Sequence, residues 1–251
     1  MDKDRPSTHK QVRPAEAAAG VPAARSSSSE IAAFLSSARS IAGSADGDGR
    51  LIFALDATMS RQPTWDVACH LQGEMFDTVG KTGGLNVQLV YFRGFNECRS
   101  SKWVADTGRL ARLMSAIDCR GGQTQIGRVL RHANAEARGA RVNALVYIGD
   151  AMEENIDELC ALAGELSLRN VPCFMFHEGH DPAAETAFRE IARLTNGAYA
   201  KFDRSAAAEL AALLRAVATF ARGGRKALEH AGGSAARLLL GQMKPGSGGN
   251  R

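Results

Sequence analysis

Short apolar runs that alternate with helix-spaced apolar residues constrain this chain more than any other feature. Apolar, β-branched and aromatic runs predict strands at about 50–56, 86–93, 142–148, 172–176 and 199–202. Between these runs, apolar residues recur at helical spacing. Strands separated by helices need crossover connections, which place the strands parallel in one sheet. The sequence therefore predicts a doubly wound, Rossmann-like α/β fold: a mostly parallel central sheet, helices on both faces, and one short antiparallel edge strand within 95–104.

The composition along the chain predicts four segments. Residues 1–27 have little to bury and are expected to form a disordered arm. Residues 28–49 are expected to form an amphipathic helix and a linker, and residues 50–222 the α/β domain. Residues 223–251 form a basic, glycine-rich tail in which a short helix is expected around 227–243. The two chain ends are expected to be cut first by protease.

Charge and composition exclude several function classes. The hydrophobic fraction is 45% and the charged fraction 23%, as in a globular protein, and no run approaches the roughly 20 apolar residues that span a bilayer. The net charge of +4 resides in the tail, which holds five basic residues and one acidic residue. The balanced body does not indicate a nucleic-acid surface. Five irregularly spaced cysteines and the lack of an export signal favour a cytoplasmic protein with reduced thiols.

Polar residues follow two of the predicted strands. Asp56, Thr58 and Ser60 come directly after the first strand, and Asp150 comes after the strand at 142–148. Thr124 lies in a glycine-rich loop before a helix. Ligands bind at the carboxyl ends of strands in such sheets. Two carboxylates and three hydroxyls form an all-oxygen set that suits a hard divalent cation. The alternative is that Asp56, Asp150 and Thr124 are separate helix caps.

This constellation resembles a von Willebrand factor type A (VWA) domain with a metal-ion-dependent adhesion site (MIDAS). That family's pattern is Asp-x-Ser-x-Ser, then a Thr, then an Asp. The matching positions here are Asp56, Thr58, Ser60, Thr124 and Asp150, and Thr58 replaces the usual Ser but keeps the hydroxyl. The resemblance covers about residues 50–222. It implies that the hydroxyls bind the cation directly, that the aspartates act largely through water, and that one position stays open for a partner's Asp or Glu.

The resemblance implies a metal-dependent protein–protein interaction module without catalysis. The expected cation is Mg²⁺, with Mn²⁺ or Ca²⁺ as alternatives. The expected partner is a protein that presents Asp or Glu; related bacterial proteins often work in assemblies with ATPases or chaperones. No nucleic-acid or membrane partner is expected. Two other functions stay open. One is a metal-dependent hydrolase or phosphotransferase, for which Glu153 or Glu154 is the available base, and the other is a scaffold with an empty site.

Two neighbouring groups of residues are interpreted as structural. Glu153 and Glu154 are predicted to be first-turn acids of the next helix, where the helix dipole favours them; the alternative is that one of them tunes or blocks the metal. Cys173, His177 and His180 contain zinc-ligand types, but no fourth ligand is evident nearby. The two histidines are predicted to be solvated in a loop.

Overall fold

The computed structural model describes residues 49–62, 65, 84–202 and 207–244. The chain divides into two compact units, and all described residues belong to the unit Ala45–Arg251. The arm expected at 1–27, the helix expected within 28–49 and the chain end at 245–251 lie outside the described residues. So does nearly all of a helix that the apolar spacing indicates over 65–79.

One six-stranded sheet forms the centre of the described part of the chain. Its strands are β1 (Gly49–Asp56), β2 (Leu85–Arg93), β3 (Glu97–Ser100), β4 (Ala144–Gly149), β5 (Cys173–Glu178) and β6 (Ala198–Phe202). They lie in the order β3-β2-β1-β4-β5-β6, and only β3 is antiparallel to its neighbour. The predicted fold class is therefore confirmed, including the short antiparallel edge strand. The strand order reverses between β1 and β4, which is where sheets of this kind bind ligands.

In the described segments, six α-helices connect or follow the strands. They are α1 (Thr107–Ser115), α2 (Ile126–Gly139), α3 (Ile156–Leu168), α4 (Pro182–Leu194), α5 (Ala207–Ala231) and α6 (Gly233–Gln242). Side chains of Asp106, Asn155 and Asp181 accept backbone N–H groups at the starts of α1, α3 and α4. Such caps satisfy amides that the helix itself leaves free. A single 3₁₀ turn, Met59–Arg61, follows β1.

The apolar residues of the sheet bury both of its faces. In β1, Leu51, Phe53 and Leu55 face one cluster of core residues, to which α1, α5 and α6 contribute. Ile52 and Ala54 face a second cluster, to which α2, α3 and α4 contribute. Alternate side chains point to opposite faces of a strand, so a strand covered on both sides reads as a continuous apolar run. This explains why the central strands could be recognised in the sequence.

The last two helices pack on the same core as the sheet. The helix expected around 227–243 is observed as the end of α5, which bends at Gly224 (φ 68°), followed by α6. Leu228 and Leu239 are fully buried. The side chain of Gln242 bonds both the N–H and the carbonyl of Tyr199, at 2.8 Å each, and so covers the edge of β6. None of the helices in the described segments is long and apolar enough to cross a bilayer.

Candidate metal site

The fold brings the two predicted aspartates to the same edge of the sheet. β1 and β4 are parallel neighbours, with Leu55 opposite Ile148, so Asp56 and Asp150 leave the sheet side by side. Asp56 is completely buried, and Asp150 is partly buried. Both lie at the reversal of strand order. The structure therefore places both carboxylates directly after neighbouring parallel strands.

The loop after β1 is organised around Asp56. Its Oδ1 accepts a hydrogen bond from the backbone N–H of Thr58 at 2.8 Å. The hydroxyls of Thr58 and Ser60 lie 3.0 Å apart and share a hydrogen bond. One carboxylate oxygen thus fixes the loop, and the two hydroxyls that follow are held together beside it.

Thr124 is held in place by Glu153, which belongs to the loop after β4. The backbone N–H of Thr124 donates to Oε2 of Glu153 at 3.0 Å, and the backbone N–H of Glu153 donates to Oγ1 of Thr124 at 3.1 Å. The Thr124 hydroxyl also hydrogen-bonds the Glu154 carboxylate, and its oxygen keeps a lone pair. This reciprocal pair joins the loop that carries Thr124 to the loop that carries Asp150.

The prediction that Glu153 and Glu154 are first-turn acids of the next helix is wrong. Asn155 caps α3, and its side chain accepts the N–H groups of Asp157 and Glu158, so the helix begins only after both glutamates. The Glu154 carboxylate instead accepts the N–H groups of Ile126 and Gly127 at the start of α2. Both glutamates therefore serve the Thr124 loop. Burial raises the pKa of Glu154, and the N–H groups of Gly127 and Ile126 oppose that rise.

Backbone contacts hold the Thr124 loop between the loops that follow β1 and β2. The N–H of Arg120 donates to the Ala57 carbonyl at 3.0 Å, and the N–H of Gln123 donates to the Gly94 carbonyl at 3.2 Å. The approach to Gly94 is so close that a Cβ on Gly122 would lie 2.0 Å from the Gly94 carbonyl oxygen. Glycine is required at position 122 because any side chain would push the loop away.

Burial disfavours the charged form of the Asp56 carboxyl group. Removal from solvent raises the pKa of its carboxyl from 3.8 to about 6, and the nearby Asp150 adds to the rise. Hydrogen bonds from Thr58 and the charge of Arg61 oppose the shift and lower the pKa. A second cation near Asp56 would stabilise its charged form further.

Two carboxylate oxygens in this site are buried without a partner. Oδ2 of Asp56 and Oδ1 of Asp150 accept no hydrogen bond from any residue that the structure describes. Buried oxygens are normally satisfied, so both can accept a further ligand. Carboxylate and hydroxyl oxygens, such as those of Thr58, Ser60 and Thr124, are donors of the type that Mg²⁺ prefers. The described segments contain no group of three or more His, Cys, Asp or Glu side chains that could hold a metal, so hydroxyls are needed to complete any site here.

A buried ion pair beside the site was not apparent from the sequence. Arg61, in the 3₁₀ turn after Ser60, is 1% exposed and pairs with Glu178, the last residue of β5. The prediction that His177 is solvated in a loop is wrong, because β5 continues through it to Glu178. His177 is buried, with Nδ1 3.0 Å from the Tyr199 hydroxyl, whereas His180 is exposed as predicted. Polar residues directly after an apolar run were the available signal, as they were for Asp56.

Comparison with known proteins identifies the fold through structures. No protein-family model matches the sequence, and no curated protein does. A solved von Willebrand factor type A protein from Catenulispora acidiphila matches with a TM-score of 0.57 and 18% identity, over 70% of this chain and 43% of that one. The SpRpn10 VWA domain matches with a TM-score of 0.50 and 16% identity, over 62% of this chain and 88% of that one.

A further match is proximal thread matrix protein 1 from the mussel byssus, solved with a zinc-occupied MIDAS motif. Its TM-score is 0.54 and its identity 19%, over 69% of this chain and 48% of that one. This chain thus spans less than half of the Catenulispora and mussel chains. At these identities the likeness establishes the three-dimensional arrangement alone. The part of the chain that the structure describes has the fold of a von Willebrand factor type A domain.

Proposed function

We propose that this chain is a metal-dependent protein-interaction module. One divalent cation, Mg²⁺ in preference to Mn²⁺ or Ca²⁺, would be held by Asp56, Thr58, Ser60, Thr124 and Asp150. The cation supplies an electrophilic position that takes an Asp or Glu of a partner protein. Binding the partner through one carboxylate gives orientation and specificity more than affinity.

The observation that supports this proposal best is the pair of unpartnered oxygens, Asp56 Oδ2 and Asp150 Oδ1. Leaving one buried polar group unsatisfied costs on the order of 1–3 kcal/mol, and more when the group is charged. Two such carboxylates at one edge of the sheet are explained together by a cation. Separate roles as helix caps do not explain these two oxygens, because an oxygen that caps a helix accepts a backbone N–H group.

The surface around the site suits a protein partner. Met59, between two of the proposed ligands, is 54% exposed, and Phe95, in the turn after β2, is 70% exposed. The Thr124 loop joins their two segments, since Arg120 bonds Ala57 and Gln123 bonds Gly94. Exposed apolar side chains beside a polar centre are typical of interaction surfaces. We therefore place the partner over this edge of the sheet, with an ATPase or chaperone assembly as the candidate partner class.

The contacts of the two candidate bases do not favour an enzyme. A metal-dependent hydrolase at this site would need Glu153 or Glu154 to take a proton. Instead, Glu153 accepts the Thr124 N–H, and Glu154 accepts two N–H groups at the start of α2. Both carboxylates therefore already serve as structural acceptors.

Affinity capture tests the interaction. The full chain is immobilised and exposed to a lysate of its source cells in Mg²⁺ or in a chelator, with an Asp150→Ala chain in Mg²⁺ as a control. We expect specific proteins to bind only the unmodified chain in Mg²⁺. The same proteins retained equally under all three conditions would contradict a metal-dependent interface.

A further inference from the structure

Arg61 links the loop after β1 to the end of β5. It lies one residue after Ser60, it is almost completely buried, and its guanidinium pairs with the carboxylate of Glu178. Glu178 is also buried. Both members of an ion pair have therefore been taken out of water beside the candidate site, which is costly unless the surroundings need the charges.

The sheet order determines what this side chain passes. β4 lies between β1 and β5, so the Arg61–Glu178 pair joins the loop after β1 to the end of β5, on the two sides of β4. Asp150 follows Gly149 at the end of β4. The backbone register places Gly149 opposite His177, one residue before Glu178. The charge of Arg61 accordingly interacts with both Asp56 and Asp150.

The charges in this group sum to the value that one divalent cation neutralises. Asp56, Asp150 and Glu178 carry negative charges, and Arg61 carries one positive charge, so the formal total is minus two. Among the described residues, Arg61 is a cation whose charge acts on both aspartates. With a metal, Arg61 and the metal repel one another across the same carboxylates.

We propose that Arg61 is a built-in counter-cation that competes with the divalent cation for Asp56 and Asp150, and that Glu178 limits this competition by drawing the guanidinium toward β5. This inference rests on the proposed metal site. It assigns to the Arg61–Glu178 pair the role of setting how tightly the metal is held. Arg61 weakens metal binding, and in the absence of metal its charge stabilises the two aspartates.

Two variants shift metal affinity in opposite directions. In Glu178→Gln, the Arg61 guanidinium loses its ion pair with β5 and acts more strongly on the two aspartates. The affinity for metal should therefore fall about tenfold or more. In the double variant Arg61→Met with Glu178→Gln, the competing cation is gone and no buried glutamate is left unpaired. Its metal affinity should rise about tenfold or more above that of the unmodified chain, because the positive charge that acts on both aspartates is removed.

Calorimetric titration of the full chain with Mn²⁺, after treatment with a chelator, measures these changes. Arg193→Met with Glu190→Gln removes the exposed ion pair on α4 and serves as the matched control, with unchanged affinity expected. Thermal unfolding in the chelator adds a second readout. The double variant should unfold at a lower temperature than the unmodified chain and gain more from added Mn²⁺.

The possible outcomes distinguish the role of Arg61 from the existence of the metal site. Equal Mn²⁺ affinity in the unmodified chain and both variants would overturn the role of Arg61 while leaving the metal site in place. If neither the unmodified chain nor any variant binds Mn²⁺, both inferences are wrong. Binding only in the double variant supports the competition in its strongest form. If the double variant does not fold, Glu178→Gln decides alone, and an unchanged affinity there overturns the proposal.

Discussion

Asp56 shows how a single residue can be held in an unfavourable state by the fold. One of its oxygens anchors the Thr58 N–H, and the other is buried without a partner. Its ionisation is opposed by burial and by Asp150. A carboxyl group in this position binds a proton more tightly in the folded chain than in the unfolded chain, and stability must then depend on pH.

In a chelator, Asp56 should contribute a loss of stability as pH rises from about 4 to about 6, and comparison with Asp56→Asn isolates this contribution. The pKa of Asp56 is raised from 3.8 to about 6, so the folded state binds the extra proton within this window. Above it, the loss amounts to at most about 3 kcal/mol. Urea unfolding at a series of pH values measures the slope. The Asp56→Asn variant should have a smaller slope in this range, and an identical slope would show that Asp56 is not the group responsible.

Substitutions at Thr58 test whether metal binding needs its hydroxyl or only the shape of its side chain. Thr58→Ser retains the oxygen and should bind Mn²⁺ nearly as well as the unmodified chain. Thr58→Val keeps nearly the same volume but loses the oxygen and its hydrogen bond with Ser60, so affinity should fall about ten- to a hundredfold. Calorimetric titration compares the three chains. Equal affinity of the Val and Ser variants would exclude Thr58 as a ligand.

At the scale of elements, the loop before α2 carries Thr124 and is joined to the loop after β4 through Glu153. Gly122→Ala would place a Cβ 2.0 Å from the Gly94 carbonyl oxygen, so the loop must move. We expect a destabilisation of about 1–3 kcal/mol and weaker Mn²⁺ binding. Gly121→Ala is the matched control, because its Cβ would meet no atom within 4 Å. Similar stability and affinity of the two variants would show that the close approach does not position Thr124.

The strands could be predicted from the sequence, and the connections after them could not. Strands buried on both faces appear as apolar runs, which is a local signal. The roles of Glu153 and Glu154 depend on amides of Thr124 and of the start of α2, which are 27 to 29 residues away in the chain, and no local pattern records that distance. For the same reason, Asp56 could be recognised at the end of its strand, but its neighbour Arg61 could not be paired with Glu178.

At the scale of the whole molecule, α5 and α6 extend the core beyond the sheet. Leu239 of α6 is completely buried, whereas its neighbour Leu238 is 38% exposed. Leu239→Ala should cost about 2–5 kcal/mol in the free energy of unfolding. Leu238→Ala should cost about 0.5 kcal/mol or less. Urea unfolding of both variants tests whether α6 unfolds with the sheet, and equal small effects would show that it does not.

The limits of the α/β domain at residues 50 and 222 stay a prediction.

The central claim is that Asp56, Asp150 and three hydroxyls hold one divalent cation. Its most direct test is a calorimetric Mn²⁺ and Mg²⁺ titration of the full chain and of Asp150→Ala, both freed of metal beforehand. We expect the unmodified chain to bind one cation and Asp150→Ala to bind it far more weakly, because one of only two balancing carboxylates is lost. Equal binding by the two chains, or no binding by either, would contradict the claim.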